Sequence, residues 1–174
     1  MIRFHESLAP LMEPIGHVRQ HPDNPNNGDV DAIATSMQIN GVFTPVIAQQ
    51  STGYILAGNH RYAALLMLNQ TQIPVVWLNV DDTQARKIML ADNRTAQLAE
   101  IDLMALGEML EEMNALDPML GLIGTGYDTE YLERLRGMQM DEPLDFDENE
   151  FAKQRGSNGP ITCPSCGHEF GGKR

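Results

Sequence analysis

Gly53-Tyr54-Ile55-Leu56-Ala57-Gly58-Asn59-His60-Arg61-Tyr62-Ala63-Ala64-Leu65-Leu66-Met67-Leu68 reads as a short apolar strand that breaks at Gly58 and restarts as an apolar-faced helix. The first turn of a helix carries N–H groups without intrahelical partners and a partial positive charge, and here His60 and Arg61 stand beside them. Glycine at the break lets the backbone approach an anion closely. A phosphate is therefore the group this junction suits, held by the guanidinium and the amides.

Working outward, Val46-Ile47-Ala48 and Tyr54-Ile55-Leu56-Ala57 are separated by Ser51-Thr52-Gly53, which predicts a hairpin. Upstream, Val30, Ile33, Ala34 and Met37 fit one helix face, with Asp29 as N-cap and Gly41 just past the end. Leu11 to Val18 can supply an edge strand, and His21 to Asn27 is rich in turn formers. Downstream of a helix over about Asn59 to Asn69, Ile73 to Val80 is a third strand. This order of strands and helices predicts a compact α/β or α+β unit ending near residue 80. Helices follow from Asp82 or Thr83 to about Ala99 and from about Asp102 to Asn114, then one capped by Asp128 with Tyr131, Leu132 and Leu135 on its inner face. The division expected is 1–100, a helical extension 101–138, an acidic and polar linker 139–160 and a cysteine-bearing tail 161–174.

With 174 residues, 42% of them apolar, the chain can build one ordinary core. No apolar run approaches the roughly 20 residues that span a bilayer, and the first residues lack a basic segment followed by an apolar stretch. The expectation is a cytoplasmic protein without membrane contact. Charge is uneven: residues 1–100 carry a net −3, residues 101–150 a net −12 and residues 151–174 a net +3. A surface this acidic repels phosphate backbones, so any DNA contact must be a local patch or belong to a partner protein.

A second polar segment, Ala91-Asp92-Asn93-Arg94-Thr95, interrupts a partly apolar helical run. Asp92 and Asn93 offer the hard oxygens that Mg²⁺ shares with substrate phosphates. Gly58, Asn59, His60 and Arg61 on one side and Asp92 and Asn93 on the other can hold a nucleoside triphosphate with its metal. Taken alone, each box also fits a plainer role. Arg61 can pair with one of the many acids, Asp92 to Arg94 can be a solvated face, and His60 beside a cation can be a hydrogen-bonded scaffold residue. The methionines of residues 104–119 fit core filling or an oligomer face.

Gly58-Asn59-His60-Arg61-Tyr62, with Gly41-Val42-Phe43-Thr44-Pro45-Val46 before it and Ile73-Pro74-Val75 after it, resembles the N-terminal domain shared by ParB partition proteins and sulfiredoxins. The resemblance covers roughly residues 10–100. It implies an α+β fold, a small mixed sheet with flanking helices, and a site for CTP or ATP with Mg²⁺. In ParB proteins the box reads Gly-Glu-Arg-Arg-Tyr-Arg-Ala, matched here by Gly58, Arg61, Tyr62 and Ala64; in sulfiredoxins it reads Gly-Cys-His-Arg-Tyr, matched at every position but Asn59. An amide cannot act as a thiolate, which argues against a sulfiredoxin reductase. Asp92-Asn93 falls on the family's second box, Glu-Asn-x-x-Arg, whose arginine is replaced by Ala96, and Asn24-Pro25-Asn26 is a partial Asn-Pro-Arg element. The stretch Ala91 to Ala99, then Gly126-Tyr127-Asp128, resembles ParB-like domains of bacteriophages and mobile elements.

In the tail, Cys163-Pro164-Ser165-Cys166-Gly167-His168 resembles one knuckle of a zinc ribbon. Cys163 and Cys166 alone do not close a four-ligand site. Three readings stay open: two chains sharing one Zn²⁺ in a homodimer, a site completed by His168, and a tail of reduced thiols. The function implied is a nucleotide-binding ParB-like protein in a DNA transaction such as partition, modification or packaging, with NTPase or phosphotransferase activity left open. The other readings are a non-catalytic adaptor that recruits a DNA-modifying partner, a nuclease, for which no two-metal acid cluster is seen, and a small-molecule phosphotransferase.

Overall fold

A computed structural model of the chain describes residues 2–140, 161–162 and 169–170. Residues Met1–Arg136 form one compact unit and Gly137–Arg174 a second. The first unit is built on a five-stranded mixed sheet: β1 (Met12–Pro14), β2 (Arg19–Gln20), β3 (Val46–Gln49), β4 (Tyr54–Ala57) and β5 (Gln72–Leu78), ordered β1-β5-β3-β4-β2. The hairpin read from the sequence is β3–β4, antiparallel, with an irregularity between Ile47 and Ala48. Its turn needs Gly53, at φ 72°, because a Cβ there would lie 2.8 Å from the carbonyl oxygen of His17. That close approach lets Arg19 N–H donate to the Gly53 carbonyl at 2.9 Å and lays β2 parallel beside β4. Sequence periodicity missed β2, which is two residues long and exposed on both.

Helix α1 (Val30–Asn40) starts at Asp29, whose Oδ1 accepts from Ala32 N–H at 2.9 Å, and ends at Gly41. It packs against α2 (Asn59–Met67), which carries the chain from β4 to β5. Between helices and sheet, Ala48, Ile55, Ala64, Leu65 and Ile73 lose essentially all contact with water. The α+β architecture expected from the sequence is the one observed, with shifted element ends. Thus β5 stops at Leu78, and Leu11 to Val18 yields a short edge strand and a 3₁₀ turn over Ile15–His17.

Three more helices follow: α3 (Asp82–Leu98), packed on β4, then α4 (Leu103–Leu116) and α5 (Thr129–Met140). Helix α5 is capped by Asp128, whose Oδ1 accepts from Tyr131 N–H at 2.7 Å. Helices α4 and α5 close over a second apolar cluster of Leu110, Leu122, Leu132 and Leu135, with Leu106, Tyr127 and Tyr131 around it. In the second unit, β6 (Ile161–Thr162) and β7 (Glu169–Phe170) pair antiparallel. Cys163, Cys166 and His168 lie outside the described residues, as does the linker beyond Met140.

The small second cluster has few side chains among which to redistribute a lost one. Leu132, 1% exposed, should therefore cost about 2–5 kcal/mol on truncation to alanine. Urea denaturation followed by circular dichroism should show that loss; a loss below about 1 kcal/mol would mean that α5 does not pack as described.

Candidate functional site

The mouth of α2 is made by a turn that only glycine accommodates easily. Gly58 sits at φ 94°, ψ 25°, and no side chain caps the helix it precedes. A Cβ at Gly58 would lie 3.0 Å from Nε and Nη2 of Arg61 and 3.0 Å from Cγ1 of Val46. The guanidinium thus folds back over the bare Cα and remains beside the uncapped first turn, where backbone amides and cation converge.

Arg61 is half-buried and donates from Nη1 to the Pro45 carbonyl at 2.8 Å. Among the described residues it has no carboxylate within 4.0 Å. Burial pushes its pKa below the ordinary arginine value, and the negative field of Asp92 opposes that shift. Asp92 is therefore close enough to be felt without being an ion-pair partner. Asp92 itself is exposed on α3.

Asn59 is 5% exposed and its carboxamide is fully engaged: Oδ1 accepts from His21 N–H at 3.0 Å, and Nδ2 donates to the Ile55 carbonyl at 3.1 Å. Its own carbonyl accepts from Gln20 Nε2 at 3.3 Å. One residue thereby ties the end of β2, the middle of β4 and the start of α2. His60 holds a fourth segment. Its Nε2 accepts from Gly28 N–H at 2.8 Å, which requires that nitrogen to be unprotonated, and the ring lies against Gly28 so closely that a Cβ there would fall 2.8 Å from Nδ1.

Asn93 completes the arrangement from α3. Its Nδ2 donates to Asn24 Oδ1 at 3.1 Å and its Oδ1 accepts from Asn26 Nδ2 at 3.3 Å, so the second polar box grips the Asn24-Pro25-Asn26 element directly. Arg94 is exposed and reaches Gln97 on its own helix. The structure therefore brings Gly58, Asn59, His60 and Arg61 together with Asp92 and Asn93 around one loop. The roles differ: Asn59, His60 and Asn93 bond neighbouring segments of chain, while Arg61 is half-buried without an ion pair among the described residues and Asp92 is exposed. Cys163 and Cys166 lie outside the described residues.

Beside Arg61 opens a cavity of about 300 Å³, lined by Ile33, Ser36, Met37, Val42, Phe43 and Thr44 among others. The sequence places Ile33 and Met37 on one helix face and does not single out Ser36. The helical spacing of Ile33, Ser36 and Met37 on α1 was the available signal, and only the packing of α1 on α2 shows that this face meets Arg61. Among the described residues, no three His, Cys, Asp or Glu side chains gather as a metal site. No helix among them is long and apolar enough to cross a membrane.

Because Asn59 bonds the Ile55 carbonyl of β4 and the His21 N–H just past β2, its loss should be felt in stability. Asn59→Ala should lower the unfolding free energy by about 1–3 kcal/mol, and Asn59→Asp by more, since a buried carboxylate there would face the Ile55 carbonyl. Denaturant titration checks both, and an Asp variant as stable as the native chain would contradict the bonding described.

Residues 12–94 match the family model described as the ParB N-terminal domain. A nucleoid occlusion protein of Listeria monocytogenes is 33% identical over 67 residues, which is 37% of this chain and 24% of that relative. A nucleoid occlusion protein of Halalkalibacterium halodurans is 23% identical over 120 residues, 66% of this chain and 42% of that relative. The chain thus spans less than half the length of either curated relative. Among solved structures, the C-terminally truncated chromosome-partitioning protein ParB from Caulobacter crescentus complexed with CTP-γ-S superposes with a TM-score of 0.55 at 16% identity, covering 85% of this chain and 92% of that one. At that identity the likeness is one of fold.

Proposed function

For a chain that carries a ParB N-terminal domain over residues 12–94, we propose that the mouth of α2 binds a nucleoside triphosphate, CTP in preference to ATP, with Mg²⁺, and that this binding serves a DNA transaction. The observation that carries the reading is Arg61. A half-buried cation beside uncapped amides, with no ion pair among the described residues, is stabilised by an anion brought from outside. The triphosphate lies against Gly58 and Arg61 and along the first turn of α2. Asp92 takes the metal together with phosphate oxygens, as Mg²⁺ prefers one or two carboxylates plus substrate. Asn59, His60 and Asn93 hold the walls in place.

The adjoining cavity offers a place for the base. Its volume of about 300 Å³ is at the small end of ligand pockets, and its apolar walls from Ile33, Met37, Val42 and Phe43 suit a ring face, with Ser36 and Thr44 hydroxyls for the edge. The CTP analogue named for the Caulobacter ParB structure makes CTP the first nucleotide to try. The nucleoid occlusion proteins among the relatives support a setting on DNA. With a net charge of −12, the chain would meet DNA through a partner or a local patch, and the basic residues Lys153, Arg155, Lys173 and Arg174 of the tail are where such a patch could lie. A phage or mobile-element origin and a zinc-bound tail belong to the same proposal and rest on the sequence resemblance alone.

Isothermal titration with CTP, UTP, ATP and GTP, with and without Mg²⁺, is the direct test. CTP should bind most tightly and need the metal. Arg61→Ala should weaken it at least about 30-fold, the ~2 kcal/mol of a charge-assisted hydrogen bond lost, and Asp92→Asn should reduce the metal dependence. A folded chain that binds none of the four, or an Arg61→Ala variant that binds as well as the native one, sinks the reading.

A further inference from the structure

Helix α4 shows two apolar faces, and among the described residues the fold uses only one. Gly107 and Leu110 turn inward, and Leu110 packs in the cluster with Leu132 and Leu135 of α5. Arg136 of α5 closes the same side by donating from Nε to Glu111 Oε1 at 2.9 Å. On the far side Ala105, Met109, Met113 and Leu116 follow one another at steps of four, four and three residues, the spacing of a seam that receives another helix. All four are exposed, Met109 at 62% and Leu116 at 80%, and the apolar surface runs on through Met119 at 84% and Leu120 at 58%.

Glu108 and Glu112 lie along one border of this seam, both exposed and, among the described residues, without an ion-pair partner. The surrounding segment, residues 101–136, carries a net −6. Charge decides between occupants. A second copy would bring its own Glu108 and Glu112 against this border in an antiparallel pair. In a parallel pair it would drive the border into the side already covered by α5. A helix with an apolar stripe and lysines or arginines beside it meets the seam with both its shape and its sign. Methionine, unbranched and polarisable, suits such a surface because it repacks around different side chains.

We propose that the Ala105–Met109–Met113–Leu116 seam of α4, with Met119 and Leu120, is a docking surface for a basic amphipathic helix of another protein. The nucleotide site is elsewhere on the unit, so the surface stands whether or not CTP binds.

The test uses the full chain and a fluorescein-labelled model helix of about 18 residues, with leucines at i, i+3, i+4 and i+7 and lysines between. Two controls accompany it, one with glutamate for lysine and one with the same leucines and lysines in scrambled order. By fluorescence anisotropy at about 150 mM salt, the basic helix should bind in the micromolar range and both controls at least about tenfold more weakly. Met109→Ser with Leu116→Ser, and separately Glu108→Gln with Glu112→Gln, should each weaken it by a similar factor. Asp31→Asn with Glu130→Gln, which removes the same charge elsewhere, should not. All three double variants should remain folded at the assay temperature, because the side chains changed are exposed; Asp31 and Glu130 stand in the first turns of α1 and α5, so that control alone should melt slightly lower. The proposal falls if the basic helix does not bind, if every charge variant weakens it equally, or if sedimentation shows a dimer that Met109→Ser with Leu116→Ser dissociates.

Discussion

Everything at the mouth of α2 depends on the absence of a side chain at Gly58. The backbone there must leave β4 and enter a helix at φ 94°, and the guanidinium of Arg61 lies only 3.0 Å from where a Cβ would stand. An L-residue would pay for the left-handed turn and displace the cation or Val46 as well. The constraint has a chemical result. The uncapped amides and the one half-buried cation of the domain's central helix are brought to the same few ångströms of surface.

A cation placed in that way needs a rigid surround, since neither burial nor the pull of Asp92 fixes its position alone. The surround comes from amides and an imidazole. Asn59 joins β2, β4 and α2, His60 holds Gly28, and Asn93 holds Asn24 and Asn26. Apart from the Asn59–Ile55 bond, which stays between β4 and α2, these bonds link segments remote in sequence and end on the loop that leads into α1. The wall of the adjoining cavity is the face of α1 that follows, so the loop sets the position of Ser36 and Met37 relative to Arg61. Neutral donors and acceptors suit this task because they orient the loop without competing electrostatically with the guanidinium for an anion.

The hairpin, the caps at Asp29 and Asp128 and the strand–helix break at Gly58 were legible because each is decided within a few residues by turn chemistry, capping or alternation. The inner face of α5 was legible for the same reason, from helical spacing. Strand β2 was not, since two exposed residues carry no pattern and its position follows from the Gly53 turn. Asn93 was read as a metal ligand, yet which atoms its carboxamide meets depends on a loop 67–69 residues away in sequence. Likewise the sequence alone leaves His60 between a nucleotide contact and a hydrogen-bonded scaffold residue, because the Gly28 N–H that its ring accepts from lies 32 residues away. For the methionines of residues 104–119 the sequence leaves core filling and an oligomer face open, and Met104, Met109, Met113 and Met119 are all exposed.

Charge sets the last condition on how such a site can work. The chain carries −12 in all, and a nucleoside triphosphate is itself strongly negative, so the long-range field opposes the encounter. At physiological salt that field fades over about 8 Å, which leaves the outcome to groups close to the bound phosphates. Arg61 and the first-turn amides supply positive potential there, and Asp92 subtracts from it. In the complex proposed above, a divalent cation would reverse the sign of that last contribution, because a carboxylate that repels bare phosphates would then be a ligand to the metal that neutralises them. In a basic protein magnesium would assist an attraction already present; in this acidic one it would offset the nearest repulsive charge.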